Sequence, residues 1–187
     1  CVNGTVKMSS RLDWEIDQVF NGKIESLKLN FKILLRMGAY QLRYMDSVPD
    51  YAAVTTTVQL AKKIHKNLGG LANALLRAIV KSELPKEPDK SSSIDYISNF
   101  YSHPEWLIEK WIETWSYDDA VKLAKWNNLP PNIWFRVNNL SYTNLKFKNY
   151  LKENDIEFDI FDASNLFFLP KTGIVDILGS EQFKKGL

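Results

Sequence analysis

Apolar residues recur at helical spacing through the first half of the chain, most clearly between residues 31 and 79. Phe31, Leu34, Leu35, Gly38, Leu42 and Met45 fall on one face of a single helix. Gly38 inside that face costs roughly 1 kcal/mol against alanine, so its position predicts a close approach by another helix. Val48-Pro49 ends this helix, because proline disfavours helical backbone in the residue before it. Val54, Val58, Ala61 and His65 predict a second helix. Asn67, Gly69 and Gly70 break it, and Leu71, Ala74, Leu75, Ala78 and Ile79 predict the inward face of a third. Upstream, Leu12, Ile16, Val19 and Phe20 form another stripe that stops at Asn21-Gly22, and Ser10 with Asp13 has the spacing of a weak capping box. Residues 24–29 read as a short helix or turn.

The pattern changes after Glu83. Residues 84–93, LPKEPDKSSS, hold two prolines, three serines and charges with nothing to bury, which predicts a linker and domain boundary. Ile94, Ile97 and Phe100 then suggest a short helix. His103-Pro104 starts another, with Leu107, Ile108, Trp111, Ile112 and Trp115 inward. Tyr117-Asp118-Asp119 opens a third, carrying Ala120, Val121, Leu123, Ala124 and Trp126 and ending at Asn127-Asn128. Residues 133–137 read as a strand, 145–154 as a helix, and 158–162, 166–169 and 173–177 as further strands. The fold class is therefore mainly α: a helical bundle followed by a small α/β domain.

The 187 residues, 45% hydrophobic, suffice for one large or two small domains. A formal net charge of +2 does not by itself suggest a nucleic-acid partner, so any basic face has to come from local clustering. One cysteine excludes an intrachain disulfide and fits a reducing cytoplasm. No apolar run approaches the ~20 residues of a membrane span, and the first residues lack a signal-peptide pattern. Cys1 in place of methionine predicts that the chain begins inside a longer gene product.

Four segments in order, LLRMGAYQL, VPDYAAV, LAKK and GGLANALLR, resemble the NusB-like RNA-binding domain at the front of the Sun/Fmu family, the bacterial small-subunit (16S) rRNA cytosine-C5 methyltransferases. SHPEWLIEKW, then NN, PP and RVN at 102–138, resemble the same family's next segment. The resemblance implies a NusB-like helical RNA-binding domain over residues 1–83, with residues 1–8 helical and further helices preceding Gly4-Thr5. It implies a linker at 84–93 and a small α/β domain over 94–187, whose GSEQFKKGL end leads toward a catalytic domain. The full protein would transfer methyl from S-adenosylmethionine to a cytosine C5, and small-subunit ribosomal RNA and that catalytic domain would be the partners.

The chemistry such an enzyme needs is not in this sequence. Attack on C6 of the base requires a thiolate, yet Cys1 stands outside any Pro-Cys or Thr-Cys motif. The eight glycines include no G-x-G spacing, so no cofactor loop is expected and the chain alone should be inactive. His65 and His103 belong to no Cys/His cluster, so no metal site is expected; His65 reads as a packed or boundary side chain and His103 as a helix-start hydrogen bonder. Arg36 and Gln41 read as structural hydrogen bonders, and Trp111 and Trp115 as core. The candidate RNA contacts are Lys62, Lys63 and Lys66 on one helix, Arg77 and Lys81 on the next, and Arg136 in the second domain. Asn73, Arg77 and Lys81 repeat at i, i+4, i+8; Asn73 reads equally well as a buried residue bonding the preceding loop. Two other functions fit the pattern: a free-standing NusB-type RNA-binding transcription antitermination factor, and a protein-interaction scaffold without RNA. The segment from SHPEWLIEKW to RVN argues against the first of these.

Overall fold

Gly38 shows why three helices pack as they do. It lies on α3 (Leu29–Tyr44), where an added Cβ would stand 2.8 Å from Thr57 Oγ1 and 3.1 Å from Leu76 Cδ1. Thr57 belongs to α4 (Asp50–Ile64) and Leu76 to α5 (Leu68–Lys81), so the missing side chain lets both helices close on α3. The computed structural model describes residues 1–130, 133–138, 140, 143–160, 166–169 and 177–184. α1 (Val2–Lys7), α2 (Ser9–Val19) and a 3-10 turn (Ile24–Ser26) precede α3. Leu12 and Ile16 of α2 pack with Phe31 and Leu35 of α3 and with Leu76 and Ile79 of α5 in the buried core.

Local details depart from the sequence pattern in places. α5 starts at Leu68, so Gly69 and Gly70 lie in its first turn rather than before it. Gly69 is used for contact: a Cβ there would meet Lys62 Cγ at 2.5 Å. The buried face of α5 consequently includes Ala72 and Leu76, and Ala74 is exposed. α4 stops at Ile64, leaving His65 exposed and extended at its C-cap. Ser10 caps nothing, because α2 already begins at Ser9, and Asp13 instead receives both arms of the Arg36 guanidinium. Arg36 thus acts structurally, while Gln41 bonds only the Met37 carbonyl within its own helix.

Residues 84–93 are irregular, as their composition predicts, but the chain does not divide there into compact units. The division falls between Asn128 and Leu129. The cause is a set of long-range contacts: α6 (Ile94–Tyr101) returns to α2, where Arg11 Nη1 donates to the Phe100 carbonyl at 3.0 Å. Ser10 N donates to Ser102 Oγ at 3.2 Å, and Trp14 meets Tyr96 edge-on with ring centroids 5.3 Å apart. The irregular segment is itself pinned by Tyr96 Oη on the Lys86 carbonyl, Tyr117 Oη on the Asp89 carbonyl, and the Lys125–Glu87 ion pair. α6 is capped by Ser93 Oγ, which accepts from Tyr96 N. With α7 (Glu105–Thr114) and α8 (Tyr117–Asn128) it encloses Ile97, Tyr101, Ile108 and Ala124. Trp111 joins this cluster. Trp115 does not: it follows the last turn of α7, turns off the stripe at φ −122°, and is 59% exposed. Trp126 is also exposed rather than inward.

Among the described residues, the second unit has a three-stranded antiparallel sheet in the order β1-β3-β2 with a helix packed on it. β1 (Ile133–Arg136) pairs Trp134 with Phe168 and Arg136 with Leu166 of β3 (Leu166–Leu169). β2 (Asp159–Ile160) pairs with the other edge of β3. Thr143 Oγ1 caps α9 (Asn144–Glu153) by accepting from Lys146 N. Phe147 and Leu151 of α9 then pack on Phe167, Val137, Ile156 and Ile177. A short α10 (Glu181–Lys184) follows. Residues 161–162 of the strand expected at 158–162, and residues 173–176 of the one expected at 173–177, lie outside the described residues, and Ile177 sits in a helical turn.

Candidate nucleic-acid interface

α4 and α5 form an antiparallel hairpin, closed by a tight connection in which Leu68 N donates to the His65 carbonyl at 2.9 Å. Lys62, Lys63 and Lys66 are all exposed and gather at this closed end. Lys62 and Lys63 occupy the last turn of α4, where the helix dipole favours cations. Arg77 and Lys81 lie toward the open end. Gly69, which touches Lys62, is eight residues before Arg77, or about 12 Å along α5 at the helical rise of ~1.5 Å per residue. The hairpin therefore carries two basic groups, not one continuous cluster.

The open-end group borders a groove of about 300 Å³. Its walls are Asp50, Tyr51, Val54, Thr55 and Val58 from α4, and Asn73, Arg77, Val80 and Lys81 from α5. The predicted stripe of Asn73, Arg77 and Lys81 is thus one wall of a real concavity. Asn73 does not bond the preceding loop; its Oδ1 accepts from Arg77 Nε at 3.0 Å. That exposed bond links two residues of the lining and leaves the amide NH2 as a donor. Tyr51 is the residue that periodicity missed. It stands in the first turn of α4, off the apolar stripe, and is 76% exposed. Arg136 belongs to the second unit, where it is exposed on β1 while Val137 beside it is buried.

Several other polar groups have structural roles. Glu15 accepts from Arg11 Nε and, at 2.6 Å, from Arg43 Nε, and all three side chains are at least nine-tenths buried. Arg43 Nη2 also donates to Ser82 Oγ at 2.8 Å, tying α3 to the end of α5. Arg11 lies 4.2 Å over the Phe100 ring. His103 Nδ1 is 2.7 Å from the Tyr101 carbonyl, and burial, with Lys7 nearby, holds the imidazole below its ordinary pKa. Among the described residues no group of three or more His, Cys, Asp or Glu is placed to hold a metal ion, and no helix is long and apolar enough to cross a membrane.

Residues 1–81, which contain the whole hairpin, match the NusB family, and residues 103–165 match the RsmF/B-like methyltransferase ferredoxin-like domain. The chain is a NusB-like helical domain followed by a small ferredoxin-like domain. It is 28% identical over 164 residues to the probable ribosomal RNA small subunit methyltransferase B of Bacillus subtilis, an alignment that covers 87% of this chain and 36% of that protein. The corresponding protein of Synechocystis is 31% identical, with 81% of this chain and 34% of the relative aligned. That of Yersinia enterocolitica is 29% identical, with 82% and 35% aligned. The chain thus spans about a third of the length of the relatives it matches. The crystal structure of PH0851 shares the fold, with a TM-score of 0.57 at 18% identity over 88% of this chain and 37% of that one. Five of the six candidate RNA contacts fall in the NusB-family domain and Arg136 in the ferredoxin-like domain. The ferredoxin-like match begins at residue 103, so it takes in α7 and α8, which pack in the first compact unit.

The described glycines do not fit a cradle for S-adenosylmethionine. Gly4, Gly38 and Gly69 lie within helices against Tyr40, Thr57 and Lys62 side chains, and Gly22 lies against Phe20. None stands at a strand-to-helix turn, where a cofactor's approach to the backbone would need one.

Proposed function

We propose that this chain is the RNA-gripping N-terminal portion of a ribosomal RNA small subunit cytosine-C5 methyltransferase. It binds and orients small-subunit ribosomal RNA for a catalytic domain outside the 187 residues, in the bacterial cytoplasm. The observation that carries the reading is the order of two matches, NusB family and then RsmF/B-like ferredoxin-like domain, aligned together with the front third of methyltransferase B relatives. A free-standing antitermination factor has no use for the second domain. The methyl donor, S-adenosylmethionine, would be held by the catalytic domain, and this chain's own residues supply only binding.

The RNA contacts we assign are Lys62, Lys63 and Lys66 at the closed end of the hairpin, Arg77 and Lys81 at its open end, and Arg136 on β1. Exposed cations without buried carboxylate partners suit phosphate contacts, which position RNA without reading its sequence. The test is affinity of the purified chain for transcribed small-subunit rRNA fragments across a salt series. Affinity falling log-linearly with salt is expected. Absence of RNA binding at low salt would leave the protein-scaffold function in its place.

A further inference from the structure

The groove between α4 and α5 is unlike an ordinary solvated helix face. It is concave, its lining includes three valines (Val54, Val58 and Val80), and it carries an exposed aromatic ring, Tyr51, with two cations, Arg77 and Lys81. Its volume of about 300 Å³ is at the small end of ligand pockets, which run from about 300 to 1,000 Å³. Phosphate binding alone needs no apolar lining, and a buried protein anchor needs no pair of cations. Both features together suit one unpaired nucleotide, whose base is flat and apolar on its faces and whose phosphates are anionic.

We propose that this groove takes a single unpaired RNA nucleotide, its base stacked on Tyr51 against the lining valines and its flanking phosphates on Arg77 and Lys81. The assignment rests on the RNA-binding reading above and adds where and in what form the strand is held. Stacking on an exposed ring is tolerant of sequence because every base has a π-face. Asp50, which opens α4 beside Tyr51, adds a bias. Its carboxylate accepts from an exocyclic amine, which cytosine, adenine and guanine carry and uracil lacks. The 3.0 Å bond from Arg77 to Asn73 restricts the guanidinium before RNA arrives, which lowers the ordering cost of binding. Single-stranded loops and bulges offer such a base; a continuous duplex hides both of its faces.

The experiment compares short single-stranded RNA with a duplex of the same sequence, by fluorescence anisotropy on the whole chain. Tyr51→Ala is expected to weaken single-strand binding about tenfold with an unchanged salt slope, and to leave duplex binding as it was. Tyr51→Phe keeps a stacking ring and should retain parental affinity. Arg77→Gln should weaken binding and also lower the salt slope by about 0.7. Circular dichroism checks that each variant is folded. If the parent binds RNA and Tyr51→Ala binds both forms like the parent, or loses both equally, the groove is not a nucleotide pocket while the RNA-binding function stands. If the parent binds no RNA, both fail together. Loss of a protein partner by Tyr51→Ala with RNA affinity intact would make the groove a protein-docking site and overturn the assignment.

Discussion

Gly38 and Thr57 hold α3 and α4 at a separation that leaves no room for a methyl group, since a Cβ at 38 would lie 2.8 Å from Thr57 Oγ1. The hydroxyl cannot easily yield, because it donates to the Ala53 carbonyl at 2.8 Å. Gly38→Leu is expected to unfold the helical domain or lower its melting temperature sharply, as overpacking costs about 1–3 kcal/mol and at times more. Gly38→Ala should destabilise less, because alanine regains up to ~1 kcal/mol of helix propensity. Adding Thr57→Ala should rescue part of that loss. Urea denaturation of the two single variants and the double reads the coupling directly, and strict additivity would contradict the packing described.

Glu15 is shared by two guanidiniums inside the protein. Glu15→Ala leaves Arg11 and Arg43 facing each other without compensation, and the expected loss is about 3–5 kcal/mol by chemical denaturation. Replacing Arg11, Glu15 and Arg43 together with apolar residues of similar volume should cost much less, because no buried charge is then left alone.

His103 gives a pH dependence whose sign follows from its environment. Burial holds the folded imidazole below its usual pKa, so the unfolded chain binds this proton more readily. Stability from this group is therefore full above the unfolded value of about 6.5, and falls as pH drops toward the folded value. The melting temperature of the parent should drop more between pH 7.5 and pH 5 than that of His103→Gln. The difference between the two proteins isolates the histidine from carboxylates that titrate lower.

Lys66 and Arg77 belong to opposite ends of the hairpin, so their contributions to RNA affinity should be independent. Lys66→Glu and Arg77→Glu are each expected to weaken binding at low salt and progressively less at high salt. Their logarithmic effects should add in the double variant, as they do for sites more than about 7–10 Å apart. Thermal stability should stay within about 0.5 kcal/mol, as for other exposed charges. A folded double variant with parental affinity and slope would move the RNA site off this hairpin.

Much of the helical domain was legible because burial repeats with the helix: Phe31, Leu34, Leu35 and Gly38 all lie where their spacing put them. The failures share a cause, which is that contacts distant in sequence override local signals. Gly69 looks like a stop and is instead a seat for the Lys62 stem. Asp13 looks like half of a cap and is held by Arg36, 23 residues on. Residues 84–93 do lie between the two family matches, which end at 81 and begin at 103, but nothing local says that Arg11 will reach Phe100 across them. In the candidate site, the basic stripe of α5 was visible as i, i+4 repetition. Tyr51 was not, because one aromatic off the apolar face has no period, and its meaning comes only from the concavity beside it.

The reach of Arg11 across that segment bears on how the polypeptide comes apart. A protease that nicked the backbone within residues 84–93 would cut the covalent connection but not the assembly: the Arg11–Phe100, Ser10–Ser102 and Lys7–Asn127 bonds and the Trp14–Tyr96 ring pair join the two sides independently of it. The fragments would co-migrate under native conditions and part only in denaturant. Expressed without its downstream helices, the NusB-family stretch would bare the flank of α2 that they cover, so the limit of the sequence match at residue 81 is not where this protein can be cut into self-sufficient pieces.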